Sequence, residues 1–131
     1  SQLKVHQGFL ASFKVTAAQI LTVVQNLHAQ YPHYHLDVVG QSLGGVHATM
    51  LATHLGEGRQ AGTLLASSTR ITLTHYGRPR VGNLAFVHHF RSLNLINRRV
   101  TSRNDLVSRI PFRHLGFVHE NDEYWLDTHG K

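Results

Sequence analysis

The feature that most constrains this chain is the octapeptide VVGQSLGG at residues 38–45, where a short apolar run meets a Gly-x-Ser-x-Gly pattern. Gly40, Ser42 and Gly44 occupy the three fixed positions of that pattern. The pattern predicts a strand, a strained turn and a helix, with the serine hydroxyl held out above the sheet edge. We expect both glycines of the pattern to remove side chains that would collide in so tight a bend. Gly45 should let the new helix approach the strand closely.

The sequence on either side of the pattern separates a nucleophile turn from an ordinary glycine-rich structural turn, which is the competing interpretation. Residues 35–39 (HLDVV) are typical of a short strand, and residues 45–55 are typical of a helix. Ser42 would then lie at a helix N-terminus, where the amide of Leu43 points into the site and could bind a developing oxyanion. This context favours the nucleophile interpretation.

The order of apolar periodicities along the chain predicts an α/β fold. A stripe with steps of three and four over residues 9–31 predicts a long amphipathic helix that covers one face of a sheet. The predicted elements that follow are strands at 36–39, 71–76, 98–102 and 123–126 and helices at 45–55 and 84–93, with irregular chain at 106–122. We expect residues 56–58 to close the second helix and strand 36–39 to be buried. This alternation is typical of a parallel sheet with helices on both faces, in one domain.

Composition excludes several classes of protein. Hydrophobic residues make up 41% and charged residues 15%, as in globular chains, and no eighteen consecutive residues are apolar, so we expect no membrane span. Without cysteine the chain has no disulfide and no thiolate metal site. The net charge of +6 could suggest nucleic-acid binding. Because no recognition motif or interleaved aromatic residues accompany that charge, we favour a basic surface that is solvated or attracted to anionic interfaces, with no nucleic-acid partner.

The twelve histidines could suggest a metal site, since His33 and His35 are two residues apart and His88 and His89 are adjacent. Catalytic zinc sites use three protein ligands at a defined spacing, and no His-Glu-x-x-His or comparable pattern occurs. We therefore favour surface and partly buried histidines over metal ligands, and we predict neither a metal nor a cofactor.

A serine nucleophile needs a histidine to take its proton and an acid to orient that histidine. In a parallel sheet such groups gather at the carboxyl ends of the strands. Ser42 follows one predicted strand and Asp105 follows another, and the order serine before acid matches hydrolases of this architecture. Asp105 is therefore the predicted acid. The competing interpretation is a helix cap or an Asx turn beside Asn104.

The histidine base should follow the acid in the sequence. His114, His119 and His129 are the histidines after Asp105. His119 lies fourteen residues beyond Asp105 (119 − 105), and a satisfied, partly buried histidine explains it equally well. The residues alone leave the base open.

Six blocks spread over nearly the whole chain resemble the fungal class 3 lipases, the family of filamentous-fungal triacylglycerol lipases and feruloyl esterases. In chain order they are VHQGF at 5–9, YP at 31–32, GQSLGG at 40–45, YGRPRVGN at 76–83, NDLVSRIP at 104–111 and GFVHENDEYW at 116–125. The resemblance implies an α/β-hydrolase fold in which Ser42 is the nucleophile, Asp105 the acid and the Leu43 amide an oxyanion donor. It also implies hydrolysis of carboxylic esters through an acyl-enzyme. The first candidate substrate is triacylglycerol at a lipid–water interface, and the resemblance implies a secreted enzyme.

The resemblance also implies an incomplete site. In the family the catalytic histidine follows the Gly-Tyr-x-His block, so we expect the base beyond Lys131 and do not transfer its role to His119. The second oxyanion group and the lid precede the first matching block, so we expect them before Ser1. Residues 1–131 thus resemble the central part of a single lipase domain, incomplete at both ends, and the alternative function is a catalytically incomplete fragment or pseudoenzyme.

Two positions depart from the family pattern. Gln41 stands where histidine is usual before the nucleophile, and Ser108 replaces the usual proline. Because glutamine can donate and accept hydrogen bonds, we expect the first change to tune the site without abolishing it. Which ester is cut, and in what oligomeric state, does not follow from the sequence.

Overall fold

The structure, a computed structural model, describes residues 2–120 and 123–131 and contains one four-stranded parallel sheet. Its elements are α1 (Gln7–Gln30), β1 (Leu36–Gln41), α2 (Leu43–Ala61), β2 (Ile71–Tyr76), α3 (Leu84–Ser92), β3 (Ile96–Ser102) and β4 (Glu123–Leu126). Between β3 and β4 the described chain is irregular except for two 3₁₀ turns, Val107–Arg109 and Arg113–Leu115. The predicted α/β fold and its order of elements are confirmed. Residues 121 and 122 of the predicted irregular segment lie outside the described residues.

Helix α1 begins where the side chain of His6 caps it, accepting a hydrogen bond from the amide of Phe9 at 3.3 Å. The first part of the predicted apolar stripe packs on the core, with Phe13 buried, whereas Leu27 and Tyr31 at its C-terminal end are exposed. By length and composition α1 could also cross a membrane, with a mean hydropathy of 1.2. Core helices pass the same test, so the expected absence of a membrane span stays a prediction.

Helix α2 is longer than predicted, because it does not end at Gly56 and Gly58. It continues to Ala61 and ends at Gly62, whose φ of +69° is the left-handed cap that favours glycine. Gly58 serves packing instead, since a Cβ there would lie 2.4 Å from the Leu64 side chain. The prediction of closure at 56–58 was wrong because a close-packing glycine and a terminating glycine look alike in sequence.

The strands are ordered β1-β2-β3-β4, so each connection moves one position in the same direction. Right-handed crossovers in one direction place their helices on the same face of a sheet. The core lies on that face and joins all three helices to the sheet. Its members are Phe13 of α1, Val46, Met50 and Leu55 of α2, Phe86 and Phe90 of α3, and Ile71 and Leu73 of β2, with Leu36 and Val38 packed against them.

The opposite face of the sheet differs from the expectation of helices on both sides. Within the described residues it is open, with Val39 64% exposed and Tyr124 60% exposed. Only alternate residues of β1 are covered, because successive side chains of a strand point to opposite faces. The prediction of a buried strand at 36–39 is therefore wrong for this face.

Candidate active site

The predicted elbow at Ser42 is present as a sharp turn between β1 and α2. Ser42 has φ +50° and ψ −124°, a strained conformation for a residue with a side chain. Its side chain is exposed and makes no capping hydrogen bond to the helix that follows. The turn therefore presents a serine hydroxyl that the fold does not use for capping.

Glycine is required at one side of this turn. A Cβ on Gly40 would lie 2.2 Å from the carbonyl oxygen of Gly44, and such a contact between backbone groups cannot be relieved by rotating a side chain. Gly44 itself faces open space, so the expectation that it too prevents a collision was wrong. Gly45 allows a close approach, since its Cβ would lie 3.3 Å from the carbonyl oxygen of Gly40 and 3.0 Å from Arg78.

The amide of Leu43 lies in the first turn of α2, directly after Ser42. Amides of a first helical turn have no carbonyl partner within the helix, and they carry its partial positive charge. The carbonyl of Ser42 accepts instead from Gly45 and Val46, at 3.0 and 3.3 Å. The Leu43 amide thus has the properties of an anion-binding donor beside the serine.

Asp105 lies just after β3, at the edge of the sheet that also carries the elbow. Its Oδ1 accepts a hydrogen bond from the amide of Val107 at 2.9 Å, which is the Asx turn that the competing interpretation predicts. Its Oδ2 lies against Gly77, where a Cβ would be 2.8 Å away. Gly77 also has φ +54°, so both the backbone conformation and the lack of space for a Cβ favour glycine there.

The end of β2 stands between Ser42 and Asp105. The amide of Ser42 donates to the carbonyl of Tyr76 at 2.9 Å, and Asp105 contacts the next residue, Gly77. The amide of Gly77 in turn donates to Val100 of β3 at 2.9 Å. The fold therefore brings the predicted nucleophile and acid to the same edge, on either side of one strand end.

His119 does not contact Ser42, and both of its ring nitrogens have partners. Nε2 lies 2.8 Å from the carbonyl oxygen of Ser108, and Nδ1 lies 3.2 Å from the Arg78 guanidinium. A carbonyl only accepts and a guanidinium only donates, so His119 is the neutral Nε2–H tautomer. Burial and the nearby Arg78 lower the pKa of His119 to about 4. This supports the interpretation of a satisfied, partly buried histidine.

The two other histidines after Asp105 lie at the surface. His114 is exposed and stacks on Phe112, and His129 is exposed beside Asp127. Among residues 2–120 and 123–131, no hydrogen bond joins a histidine to Ser42 or Asp105.

Beneath this edge lies a buried ionic cluster that the sequence analysis did not anticipate. Arg78 and Glu120 are both almost wholly buried, and an Arg78 Nη2 atom donates to Glu120 Oε2 at 2.7 Å. Thr49 Oγ1 accepts from Nη1 at 2.9 Å, and Asn97 donates to Glu120 Oε1 at 3.2 Å. The two ionic residues are far apart in sequence, so no local pattern pairs them.

The charge state of this cluster follows from its surroundings. Burial alone would raise the pKa of Glu120, but the Arg78 charge and the hydrogen bonds it receives hold that pKa well below the ordinary value. Burial lowers the pKa of His75, whose Nε2 lies 3.3 Å from Glu120 Oε1 although neither ring nitrogen has good hydrogen-bond geometry. The cluster is therefore one buried ion pair with a neutral histidine beside it.

Within the part of the chain that the structure describes, no group of three or more histidine, aspartate or glutamate side chains could hold a metal ion. His35 lies 3.7 Å from Asp37 and His89 lies 2.6 Å from Glu57, but among the described residues neither contact belongs to a three-residue group that could hold a metal.

The site can be compared with those of known proteins. Residues 1–115 match the family model described as Lipase (class 3). The chain is 36% identical to a lipase of Rhizomucor miehei over 126 residues, which are 96% of this chain and 34% of the relative. It is 38% identical to the secreted mono- and diacylglycerol lipase A of Penicillium cyclopium over 122 residues, which are 92% of this chain and 37% of the relative.

Solved structures give the same result for the fold. The Rhizomucor miehei lipase propeptide complex superposes with a TM-score of 0.84 at 34% identity, covering 96% of this chain and 39% of that one. A solved triacylglycerol lipase, described as having a serine protease triad as its catalytic centre, superposes with a TM-score of 0.86 at 37% identity. The match covers 96% of this chain and 46% of that one. The chain thus spans between about a third and a half of the relatives it matches. On its sequence and its fold alike, the chain belongs to the class 3 lipase family.

Proposed function

We propose that this protein is a serine hydrolase of carboxylic esters, with triacylglycerol as its first candidate substrate. The observation that carries the proposal is the conformation of Ser42, a strained residue at a helix N-terminus whose side chain makes no capping bond. Strain of this kind persists only where the surrounding structure imposes it, and it is concentrated at functional sites. Membership of the class 3 lipase family supports the same assignment.

In the proposed reaction the Ser42 oxygen attacks the ester carbonyl while a histidine base takes its proton. In the tetrahedral intermediate the negative oxygen lies against the Leu43 amide. The intermediate then expels the alcohol, which the histidine protonates, and an acyl-enzyme remains. Water, deprotonated by the same histidine, releases the acid. Asp105 orients the histidine and stabilises its charged form. His119 is not assigned as the base, because its Nδ1 and Nε2 are both engaged.

The relatives suggest what kind of ester this would be. Among them are secreted mono- and diacylglycerol lipases, and one solved structure is titled as a model for interfacial activation in lipases. We extend these properties to this protein as a proposal: it acts on lipid esters at a lipid–water interface, outside the cell, with residues 1–131 forming the central part of one lipase domain.

A fluorophosphonate probe tests the nucleophile in the intact protein. We expect one labelled serine, lost in Ser42→Ala together with ester hydrolysis. Ser12 offers a matched control, because its Oγ lies 3.0 Å from Nε2 of His47 but on an ordinary helix. Ser12→Ala should keep both label and activity. Labelling that survives Ser42→Ala would overturn the proposal.

The alternative function is a non-catalytic chain, and one observation favours it for residues 1–131 alone. No described histidine is hydrogen-bonded to Ser42 or Asp105, so the described residues do not show an assembled triad. Hydrolysis of a short-chain ester by the 131-residue chain, abolished by Ser42→Ala, would exclude this alternative. If the intact protein hydrolysed the ester and the isolated 131-residue chain did not, the non-catalytic interpretation would be supported for the isolated chain.

A further inference from the structure

Ser42 and Asp105 both lie against the segment formed by Tyr76, the last residue of β2, and the two residues that follow it. Tyr76 accepts the amide hydrogen of Ser42, and Gly77 lies against the carboxylate of Asp105. Arg78 comes next and turns its side chain into the interior, where it is 0% exposed. Contacts that fix the position of Arg78 therefore also fix the end of β2, which both Ser42 and Asp105 contact.

The guanidinium of Arg78 reaches the elbow helix on one side. Nη1 donates to Oγ1 of Thr49 at 2.9 Å, and Oγ1 of Thr49 donates to the carbonyl of Gly45 at 2.8 Å. The stem of Arg78 also packs on Gly45, within 3.0 Å of where its Cβ would be. These contacts tie Arg78 to the first turns of α2, three and seven residues after Ser42.

On the other side the guanidinium reaches the loop that carries Asp105. Nη2 donates to Nδ1 of His119, which fixes the tautomer in which Nε2 donates to the carbonyl of Ser108. The hydroxyl of Ser108 then donates to the backbone carbonyl of Asp105 at 2.9 Å. Glu120 anchors Nη2 at 2.7 Å and balances the buried charge.

We propose that Arg78 is a positioning residue, which holds Ser42 and Asp105 at their working separation by joining the elbow helix to the Asp105 loop. The proposal rests on the proposed hydrolase function. Arginine suits the role because its planar fork aims several donors in fixed directions. Lysine has the same charge, but a single ammonium cannot reproduce the fork that serves Thr49, His119 and Glu120 together.

The test must separate positioning from stability, because either single change leaves a buried charge without its partner. In the intact protein, Arg78→Met combined with Glu120→Leu removes both charges and keeps an apolar core of similar volume, a replacement that is often neutral for folding. We expect kcat on a soluble ester to fall about 10- to 100-fold, since displacements of about 1 Å at a reacting group have such effects. KM should stay within about twofold, because substrate contacts are unchanged.

Thr49→Val is the milder second variant, which removes the hydrogen bond from Arg78 to α2 together with the Thr49–Gly45 hydrogen bond, and leaves the ion pair and the packing of Arg78 on Gly45 intact. We expect kcat to fall about threefold to tenfold with an unchanged KM. Arg98 is exposed on β3, so Arg98→Met is the matched arginine control and should keep wild-type kcat.

Two results would overturn the proposal: a folded double variant with wild-type kcat, or Thr49→Val with wild-type kcat. Either would leave the hydrolase assignment intact, provided that Ser42→Ala abolishes turnover in the same assay. Turnover and labelling that persist in Ser42→Ala would instead refute the hydrolase function, whatever the Arg78 variants do.

Discussion

Two glycines of the elbow motif should respond in opposite ways to alanine. In Gly40→Ala the new methyl group would lie 2.2 Å from the carbonyl oxygen of Gly44 and 2.7 Å from the amide nitrogen of Gly45. These are backbone atoms, so the turn itself must move by about 1.2 Å (3.4 − 2.2) to restore an ordinary contact distance of at least 3.4 Å. In Gly44→Ala the methyl group meets nothing within 4 Å.

The expected magnitudes follow from these contacts. Overpacking of this kind costs about 1–3 kcal/mol, and the rigidity of the backbone puts Gly40→Ala at the upper end. Gly44 lies inside α2, where alanine is better than glycine by about 0.5–1 kcal/mol. The two variants should therefore differ by about 3.5–4 kcal/mol in the free energy of unfolding. Because the same movement displaces Ser42, Gly40→Ala should also lose about 100-fold in ester hydrolysis.

Urea unfolding followed by circular dichroism measures the first effect, and hydrolysis of a soluble ester by the intact protein measures the second. Gly44→Ala is the internal control for both, as it changes the same residue type in the same turn. If the two variants had equal midpoints and slopes, the clash at Gly40 would be refuted as the reason for the motif's first glycine.

Protonation of His119 in acid should lower the free energy of unfolding, and so should removal of the helix cap that Asn83 provides. The folded pKa of His119 is about 4 against an ordinary 6.5, so the unfolded chain binds an extra proton between these values. The histidine faces Arg78, Arg99 and Glu120, and its contribution is complete above about pH 6.5 and falls by about 3 kcal/mol on acidification to about pH 4. Urea midpoints across that range test this, and His119→Gln should flatten the slope. Asn83 accepts from the amides of Phe86 and Lys4, both at 3.1 Å, so Asn83→Ala should cost about 1–2 kcal/mol in urea unfolding.

Controls follow from the same contacts. Burial also lowers the pKa of His75, so some acid sensitivity should remain in His119→Gln, and an unchanged slope would contradict the assignment. Asn26 is exposed within α1, so Asn26→Ala is the matched control for the cap. Equal destabilisation by the two asparagine variants would contradict the capping role of Asn83.

Much of the fold could be predicted because its determinants are local. Apolar spacing and terminating residues predicted α1, α3 and the four strands, and the Gly-x-Ser-x-Gly spacing predicted the strained turn at Ser42. Where one residue type serves two structural roles, the sequence could not show which role it has. Gly58 packs against a side chain and Gly62 ends the helix, and glycine suits both tasks.

The sequence by itself determined the elements, the elbow, the position of Asp105 after β3 and the resemblance to the lipase family, because each depends on residues adjacent in the chain. The tertiary structure alone decided which face of the sheet the helices cover, that Gly40 and not Gly44 relieves a collision, and that His119 has both ring nitrogens engaged. It also decided that Arg78 and Glu120, 42 residues apart, form one buried pair beneath Ser42 and Asp105. The physical reason is that burial and ionic pairing arise only when distant segments pack together.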